Sequence, residues 1–190
     1  MTTTSPAPET ELDDATLAGR ARDGDVRAYE QLVLRYQGPM FRLAAKMLAD
    51  RAEAEAEDVT QEVFLKAWRT ITRLQDDAAF AGWLYRMTTN RCLNVLRARR
   101  VPADVDPDTT ASTRTDTRPE HATEVNSQMA ALTDALQQLT PEQRACWLLR
   151  EVHGRSYDEI AEIVGANSTA VRGRIARARA QLAEVMKPWR

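Results

Sequence analysis

A pair of helices joined by a tight turn is predicted between Ser156 and Arg179. Ser156 and Glu159 form a capping box that starts the first helix, and Gly165 stands where a C-terminal cap is expected. Ser168 is expected to cap the second helix. Helices this close in sequence pack at an angle, so the segment is typical of a helix-turn-helix.

The outer face of the second helix combines small residues with arginines. At about 100° per residue, Gly173, Ala176 and Ala180 lie opposite the apolar stripe, and Arg172 and Arg177 flank them. Small residues let a helix approach the bases of a DNA major groove, and arginine bonds phosphates or guanine edges. The pattern favours DNA contact, and a solvated arginine-rich surface is the alternative.

Composition sets the broad class of the protein. The chain has 190 residues, of which 43% are hydrophobic, and no apolar run has the length of a membrane span. Residues 1–11 lack the basic start and apolar core of a signal peptide, so they are predicted to be a disordered tail. We therefore expect a cytoplasmic protein without membrane insertion.

Metal and catalytic sites are not expected. Cys92 and Cys146 have no cysteine or histidine at ligand spacing, and His121 and His153 are equally isolated. The cysteines are predicted to be small buried hydrophobic residues. The sequence also lacks a glycine-rich phosphate loop and a histidine beside a nucleophile. We expect no cofactor and no enzymatic activity.

The formal net charge of −2 argues against a protein that coats nucleic acid indiscriminately, because such proteins carry a large cationic surplus. Binding to DNA would need local basic faces. It would also be helped by a larger partner that holds the chain over DNA and raises its effective concentration there.

Helical periodicity covers most of the chain, so the fold is predicted to be all-α. Four helices are expected to form one domain over residues 12–100, and a second domain is expected over residues 128–190. Residues 101–127 are rich in Pro, Asp and Thr, with acids outnumbering bases. This composition predicts a flexible, extended acidic linker.

Two helices of the first domain carry candidate binding faces. On the helix predicted at 56–70, Asp58, Gln61, Glu62 and Leu65 share the side opposite the apolar residues. A leucine within a polar rim is typical of a protein-binding face, although a solvated face with one stray leucine is an equal alternative.

The helix predicted at 78–100 places Trp83 near Arg86, Asn90 and Arg97. Arginine for phosphates, an aromatic ring for stacking and an amide for a base edge are what single-stranded nucleic acid requires. For Trp83 alone, a place in the core is the alternative.

Three segments together resemble bacterial RNA polymerase sigma factors of the extracytoplasmic-function (ECF) type within the sigma-70 family. They read AEDVTQEVFLKAWR, FAGWLYRMTTNRCLNVLRARR and LTPEQRACWLLREVHGRSYDEIAEIVGANSTAVRGRIARAR. The resemblance covers both domains in order and implies a four-helix sigma domain 2 and a helix-turn-helix sigma domain 4.

The resemblance also implies function and partners. The chain would be a transcription initiation factor that binds core RNA polymerase at the beta-prime clamp helices and the beta flap, with an anti-sigma factor as a further partner. It would read the minus-ten promoter element as melted single strand and the minus-thirty-five element as duplex.

The implied sites fall into three groups. The polymerase-binding group is Asp58, Gln61, Glu62 and Leu65. The minus-ten group is Trp83, Arg86, Asn90 and Arg97. The minus-thirty-five group is Ser168, Thr169, Arg172, Gly173, Arg174 and Arg177. The sequence RAEAEAEDV holds an additional Glu-Ala step, which would lengthen a loop or the start of the polymerase-binding helix.

Two other functions compete with this interpretation. A stand-alone DNA-binding regulator would use only its C-terminal domain on DNA and would bind duplex without polymerase, with a steep salt dependence. A pure adaptor would hold other proteins and would not need Arg172 or Arg177.

Overall fold

The computed structural model describes residues 12–48, 52–100 and 124–187, and within these ranges it contains helices and no strands. The all-α prediction is therefore confirmed. The α-helices are α1 (Asp14–Arg22), α2 (Val26–Leu48), α3 (Ala52–Thr70), α4 (Phe80–Arg100), α5 (Glu124–Gln137), α6 (Pro141–Glu151), α7 (Tyr157–Val164) and α8 (Ser168–Val185).

Helices α1 to α4 pack around one apolar core, with α2 lying against each of the other three. Asp25 starts α2, because its carboxylate accepts from the backbone N–H groups of Arg27 and Ala28 at 3.0 and 3.1 Å. Although Pro39 lacks the N–H that would bond the carbonyl four residues earlier, α2 continues without a break from Val26 to Leu48. Packing on both sides of the proline supports the helix there.

The Glu-Ala step of RAEAEAEDV lies within α3, because α3 begins at Ala52 and contains Glu53–Glu57. Glu55 is fixed by Arg99 of α4, whose guanidinium also donates to the Leu48 carbonyl at 3.2 Å. Through Arg99, the first turns of α3 are therefore connected to both α4 and the C-terminal end of α2.

Helices α6 and α7 begin with the predicted caps. Thr140 and Gln143 form a reciprocal capping box with Pro141 at the first helical position of α6, and Ser156 and Glu159 form a second capping box at the start of α7.

Helix α5 begins at Glu124, which is four residues inside the predicted linker range of 101–127. The rest of that range, residues 101–123, lies outside the described residues, as does the predicted tail, residues 1–11.

The two helix groups pack against each other, a contact that the local sequence patterns do not predict. Helix α7 lies against α4, and α6 lies against both α2 and α4. The Arg144 guanidinium, 4% exposed, donates to the Met47 carbonyl at 2.5 Å near the C-terminus of α2. The Tyr85 hydroxyl of α4 lies 3.1 Å from His153 Nδ1. The described residues thus form one closed body with a partly polar seam between the groups.

Both cysteines are free and buried, as expected. Burial raises the pKa of the Cys92 thiol to about 12, so the sulfur stays protonated at neutral pH. Burial also raises the pKa of Cys146, and the neighbouring Arg174 partly opposes this effect. Both thiols therefore behave as apolar core groups.

We predict opposite stability effects for alanine at two glycines. Gly165 has φ +64° as the C-terminal cap of α7, where an added Cβ is strained, so Gly165→Ala should cost about 1 kcal/mol. Gly82 lies in α4 with open space where a Cβ would be added, so Gly82→Ala should gain about 0.5 kcal/mol. Urea unfolding followed by circular dichroism measures both, and a stabilising Gly165→Ala would contradict the left-handed cap.

Candidate nucleic-acid and protein interfaces

A groove of about 560 Å³ lies between α3 and α4. Trp83, Arg86 and Asn90 line it, so the structure brings together three of the four residues predicted for the minus-ten group. Trp83 is partly buried against the core and its ring lies 6.1 Å from that of Phe80, whereas Arg86 and Asn90 are exposed. Trp83 therefore packs against the core with part of its side chain and lines the groove with the rest.

We call this cavity, defined by the residues that line it, the α3–α4 groove. Its charged lining consists of four cations and one carboxylate: Lys66, Arg73, Arg86, Arg91 and Glu62. Arginine and lysine side chains around an aromatic ring and a carboxamide match the requirements of a single strand, in which phosphates and unstacked bases must be held together. The groove is therefore chemically suited to polyanionic, base-bearing ligands.

Arg97 is the predicted residue that does not line the α3–α4 groove. It lies near the C-terminal end of α4, is exposed, and donates to the Asn94 side-chain oxygen at 2.9 Å. Because Asn94 itself lines the groove, Arg97 is separated from it by one side chain.

Sequence analysis missed Lys66 and Arg73. Lys66 lies on α3 and Arg73 in the short 3₁₀ turn Ile71–Arg73, so neither shares an element with Trp83. The available signal was the spacing of Glu62, Lys66 and Thr70, which repeats every four residues along one side of α3. That side faces α4 across the groove.

A second groove, of about 530 Å³, lies between α2 and α3, and we call it the α2–α3 groove. Gln61 and Leu65 line it together with apolar side chains that include Val26, Phe64 and Trp68. Leu65 is 58% exposed and Val26 is 64% exposed, so apolar surface is presented to solvent on both walls. An apolar groove with a polar margin is suited to a protein ligand.

The other two residues predicted to contact polymerase differ in their surroundings. Asp58 is exposed on α3. Glu62 is also exposed but lines the α3–α4 groove, where it accepts from Arg91 at 2.5 and 3.2 Å. The hydrogen bond from Arg91 lowers the pKa of the Glu62 carboxyl, so the pair is ionised at neutral pH. Glu62 therefore lies on the border between the two faces of α3.

The helix-turn-helix segment consists of α7, a turn and α8. Gly165 ends α7 in the left-handed conformation, as predicted. The prediction that Ser168 caps α8 is wrong, because Asn167 is the cap and accepts from Ala170 N–H at 2.8 Å. Ser168 is instead the first helical residue, and its hydroxyl donates to Asp158 at 2.5 Å. Asparagine and serine are equally good caps, so local pattern could not choose between adjacent positions.

The polar residues at the start of α8 are only partly free. Thr169, Arg172 and Arg177 are exposed, and the Arg172 guanidinium lies 5.3 Å from the centre of the Tyr157 ring. Arg177 folds back toward Gly173, where an added Cβ would lie 3.5 Å from its guanidinium. Arg174 is half-buried beside the Cys146 thiol of α6. Arg172 and Arg177 therefore carry the exposed positive charge of this part of α8, and the exposed Arg179 further along is paired with Glu151.

Within the described ranges, no group of three or more His, Cys, Asp or Glu side chains is arranged to hold a metal ion. Among the same residues, no helix combines the length and apolar character needed to cross a bilayer.

Comparison with known proteins decides the family. Residues 32–101 match Sigma-70 region 2, and residues 129–182 match Sigma-70, region 4. The RNA polymerase sigma-H factor of Pseudomonas aeruginosa is 36% identical over 191 residues, covering 94% of this chain and 96% of that protein. The ECF RNA polymerase sigma-E factor of Escherichia coli is 32% identical over 187 residues, with the same shares covered.

The chain belongs to the ECF sigma factors. It is therefore a transcription initiation factor. The region 2 match, residues 32–101, includes most of α2 and all of α3 and α4, and the region 4 match, residues 129–182, includes α6, α7 and most of α5 and α8.

Solved structures agree with this assignment. CnrH, in its complex with the cytosolic domain of CnrY, is 27% identical and aligns with a TM-score of 0.71 over 92% of this sigma factor and 97% of that chain. The sigma factor RpoE of Bartonella quintana, solved with the anti-sigma factor NepR, is 22% identical and aligns with a TM-score of 0.66. The alignment covers 85% of this chain and 98% of the RpoE chain. The second likeness concerns the fold.

The corrected cap of α8 gives a direct prediction. Asn167→Ala should destabilise the sigma factor by about 1 kcal/mol, because the first turn of α8 loses its side-chain acceptor. Ser168→Ala removes a partly exposed hydrogen bond at a position already inside the helix, so its cost should be below about 0.5 kcal/mol. Chemical unfolding of the two variants side by side provides the measurement. A larger loss for Ser168→Ala would restore serine as the cap.

Proposed function

We propose that this sigma factor directs core RNA polymerase to promoters by reading the minus-ten element as single strand and the minus-thirty-five element as duplex. The observation that carries the proposal is the α3–α4 groove, in which Trp83, Arg86 and Asn90 meet cations from two further elements. Duplex DNA stacks its bases inside, so a groove with a ring and a carboxamide suits bases that have left the stack.

The side chains of the α3–α4 groove would supply binding free energy that offsets the free energy needed to separate the DNA strands. Arg73, Arg86 and Lys66 supply positive charge for the backbone of the non-template strand, while Trp83 offers a ring for stacking. Asn90 is exposed and has both donor and acceptor atoms for the edge of an extruded base. Arg97 extends the cationic surface one turn beyond the groove. Melting then proceeds through binding energy, without catalytic chemistry.

Helix α8 is proposed to enter the major groove at the minus-thirty-five element. Its N-terminal turn presents Thr169, Arg172 and Arg177 to solvent, with Gly173 between the arginines allowing close approach. Ser168 supports this turn through Asp158, and Arg174 supports it through its place beside Cys146. The direct contacts are therefore assigned to Arg172 and Arg177.

Core polymerase is proposed to dock on the exposed side of α3. Gln61 and Leu65 open onto the α2–α3 groove, Asp58 lies one turn before them, and Glu62 borders the DNA side. An exposed leucine beside an apolar groove is suited to a helix of the polymerase clamp, in keeping with the beta-prime clamp helices as partner. The beta flap is the proposed partner of the C-terminal helices.

Regulation by an anti-sigma factor is also proposed. One similar solved structure, RpoE of Bartonella quintana with the anti-sigma factor NepR, is a complex of this kind, and CnrH was solved with the cytosolic domain of CnrY. The acidic segment 101–123 is proposed to run through the polymerase toward its RNA exit path, and the sigma factor to act in the cytoplasm, where polymerase is found.

The stand-alone regulator is the second candidate, and charge weighs against it. A net charge of −2 gives weak attraction to duplex DNA, so binding without polymerase would depend on α8 alone. Run-off transcription with purified core polymerase on a promoter library separates the candidates, because a stand-alone regulator would bind duplex without supporting initiation.

Leu65→Glu should weaken association with core polymerase by at least about tenfold, because a buried charge would replace an apolar anchor at the docking face. Leu34→Glu is the matched control, since Leu34 is 63% exposed on α2 and does not line the α2–α3 groove. Native gel shift or surface binding with purified core measures both. Equal losses for the two variants would place the docking face elsewhere.

Replacing Arg172 and Arg177 together with alanine should reduce transcription from promoters that need the upstream element by at least about 30-fold, since two contacts worth about 1–3 kcal/mol each are lost. Affinity for core polymerase should not change. Arg179→Ala is the control, because Arg179 on the same helix is bonded to Glu151 at 2.5 Å. Full activity of the double variant would support the adaptor hypothesis.

A further inference from the structure

The polar lining of the α3–α4 groove changes along its length. The end near Trp83 carries the cations Arg73 and Arg86. Asn94 lies about 16 Å further along α4 and lines the other end together with Arg91. The groove therefore offers cations at one end and an exposed carboxamide at the other, and these suit different parts of a single strand.

The positive charge at the Asn94 end of the groove is largely offset. The Arg91 guanidinium donates to both carboxylate oxygens of Glu62, at 2.5 and 3.2 Å. Within the described ranges, no carboxylate forms an ion pair with the other three cations that line the groove. Phosphates are therefore attracted most strongly to those three cations, and the end near Asn94 is left for bases.

The side-chain amide of Asn94 has a fixed orientation. The Arg97 guanidinium donates to Asn94 Oδ1 at 2.9 Å. Because a guanidinium carries donors and no acceptor, the amide atom that faces Arg97 must be the oxygen. The amide nitrogen is then turned away from Arg97, and among the residues that the structure describes no other side chain bonds it. Its N–H groups are therefore available to a ligand in the groove.

Asn90 and Asn94 are one helical turn apart on α4, and both line the groove. Residues at this spacing share one face of a helix, with a rise of about 6 Å between them. Stacked bases of a strand are only about 3.4 Å apart. Two neighbouring bases can therefore reach the two amides when they have left the stack, as bases in a single-strand site do.

The two amides differ in what they can recognise. Within the described ranges, no hydrogen bond fixes the Asn90 side chain, so it can turn either its donor or its acceptor toward a base. Asn94 presents N–H donors and therefore selects an acceptor. Thymine O4 and guanine O6 are acceptors, whereas adenine and cytosine carry an amino donor at the equivalent position. The geometry at Asn94 therefore favours thymine or guanine.

We propose that Asn94 reads a second base of the single strand, next to the base at Asn90, and that it selects thymine or guanine there. Arg97, which lies outside the groove, is the positioning residue that holds the Asn94 amide in this orientation. The inference rests on the function proposed for the α3–α4 groove, and it assigns a base preference to one position of the minus-ten element.

Asn94→Asp inverts the hydrogen-bonding chemistry with little change in shape. The carboxylate still accepts from Arg97, but it has no N–H for a keto base and instead accepts from the amino group of adenine or cytosine. Holoenzyme assembled from core polymerase and each variant transcribes promoters with a randomised minus-ten element and a transcribed barcode, and the transcripts are sequenced. At one position, Asn94→Asp should shift the ratio of keto to amino bases at least about fivefold toward adenine and cytosine.

Matched variants separate base reading from charge. Thr70→Asp adds the same charge to the groove from α3, so it should weaken initiation at all sequences alike. Asn90→Asp should alter the preference at the adjacent position only. Arg97→Met releases the Asn94 amide, so the preference for keto bases should fall by at least about threefold. Arg97→Lys can still donate to Asn94 Oδ1 and should keep most of this preference.

Unchanged base frequencies in Asn94→Asp, or an even loss over all positions like that of Thr70→Asp, would overturn base reading by Asn94. Unchanged frequencies in Arg97→Met would overturn the positioning role of Arg97. If Asn94→Asp supports no initiation, Arg97→Met decides both points by the same criterion. Wild-type holoenzyme that yields no transcripts would contradict the proposed function and this inference together, whereas transcripts with unaltered preferences in the variants contradict this inference alone.

Discussion

Helix α4 faces the apolar core, the solvent and the C-terminal helix group on three different sides, and the other helices are arranged around it. Four residues at four-residue spacing, Phe80, Leu84, Thr88 and Cys92, are completely buried in the core. The Thr88 hydroxyl is accommodated there by bonding the Leu84 carbonyl at 3.0 Å. Because helical spacing separates its faces, the same helix can give Arg86 and Asn90 to solvent and Tyr85 to the C-terminal group.

Local signals in the sequence predicted the local structure well. The capping boxes at Thr140 and Ser156 and the left-handed Gly165 depend on residues three to nine positions apart, so their patterns can be read directly. The error at Ser168 arose because its neighbour Asn167 is an equally good cap. The Glu-Ala step before α3 fitted either a loop or a helix until Glu55 was seen bonded to Arg99 of another helix.

Features that depend on distant residues could not be read in this way. Trp83, Arg86 and Asn90 share one helix and were found together, whereas Lys66 and Arg73 reach the same groove from other elements. Arg144 resembles a solvent-exposed arginine in sequence, yet it is buried with the Met47 carbonyl, 97 residues away, as an acceptor. Polar contacts of this kind orient two bodies strongly, but water can replace them when the bodies separate.

Glu159 of α7 has a role in folding and also contributes charge to a surface groove. Glu159 accepts from the Ser156 backbone at 2.7 Å in the capping box that starts α7, and from Arg155 at 3.0 Å. The same carboxylate lines a groove between the two helix groups that Arg86 also lines. Removing it would weaken the first helix of the DNA-binding unit, so a chain that keeps this cap also keeps an acid in the groove that Arg86 lines. An acid beside the cationic surface of α4 is thus partly fixed by the needs of the fold, and Arg155 is the cation that pairs with it.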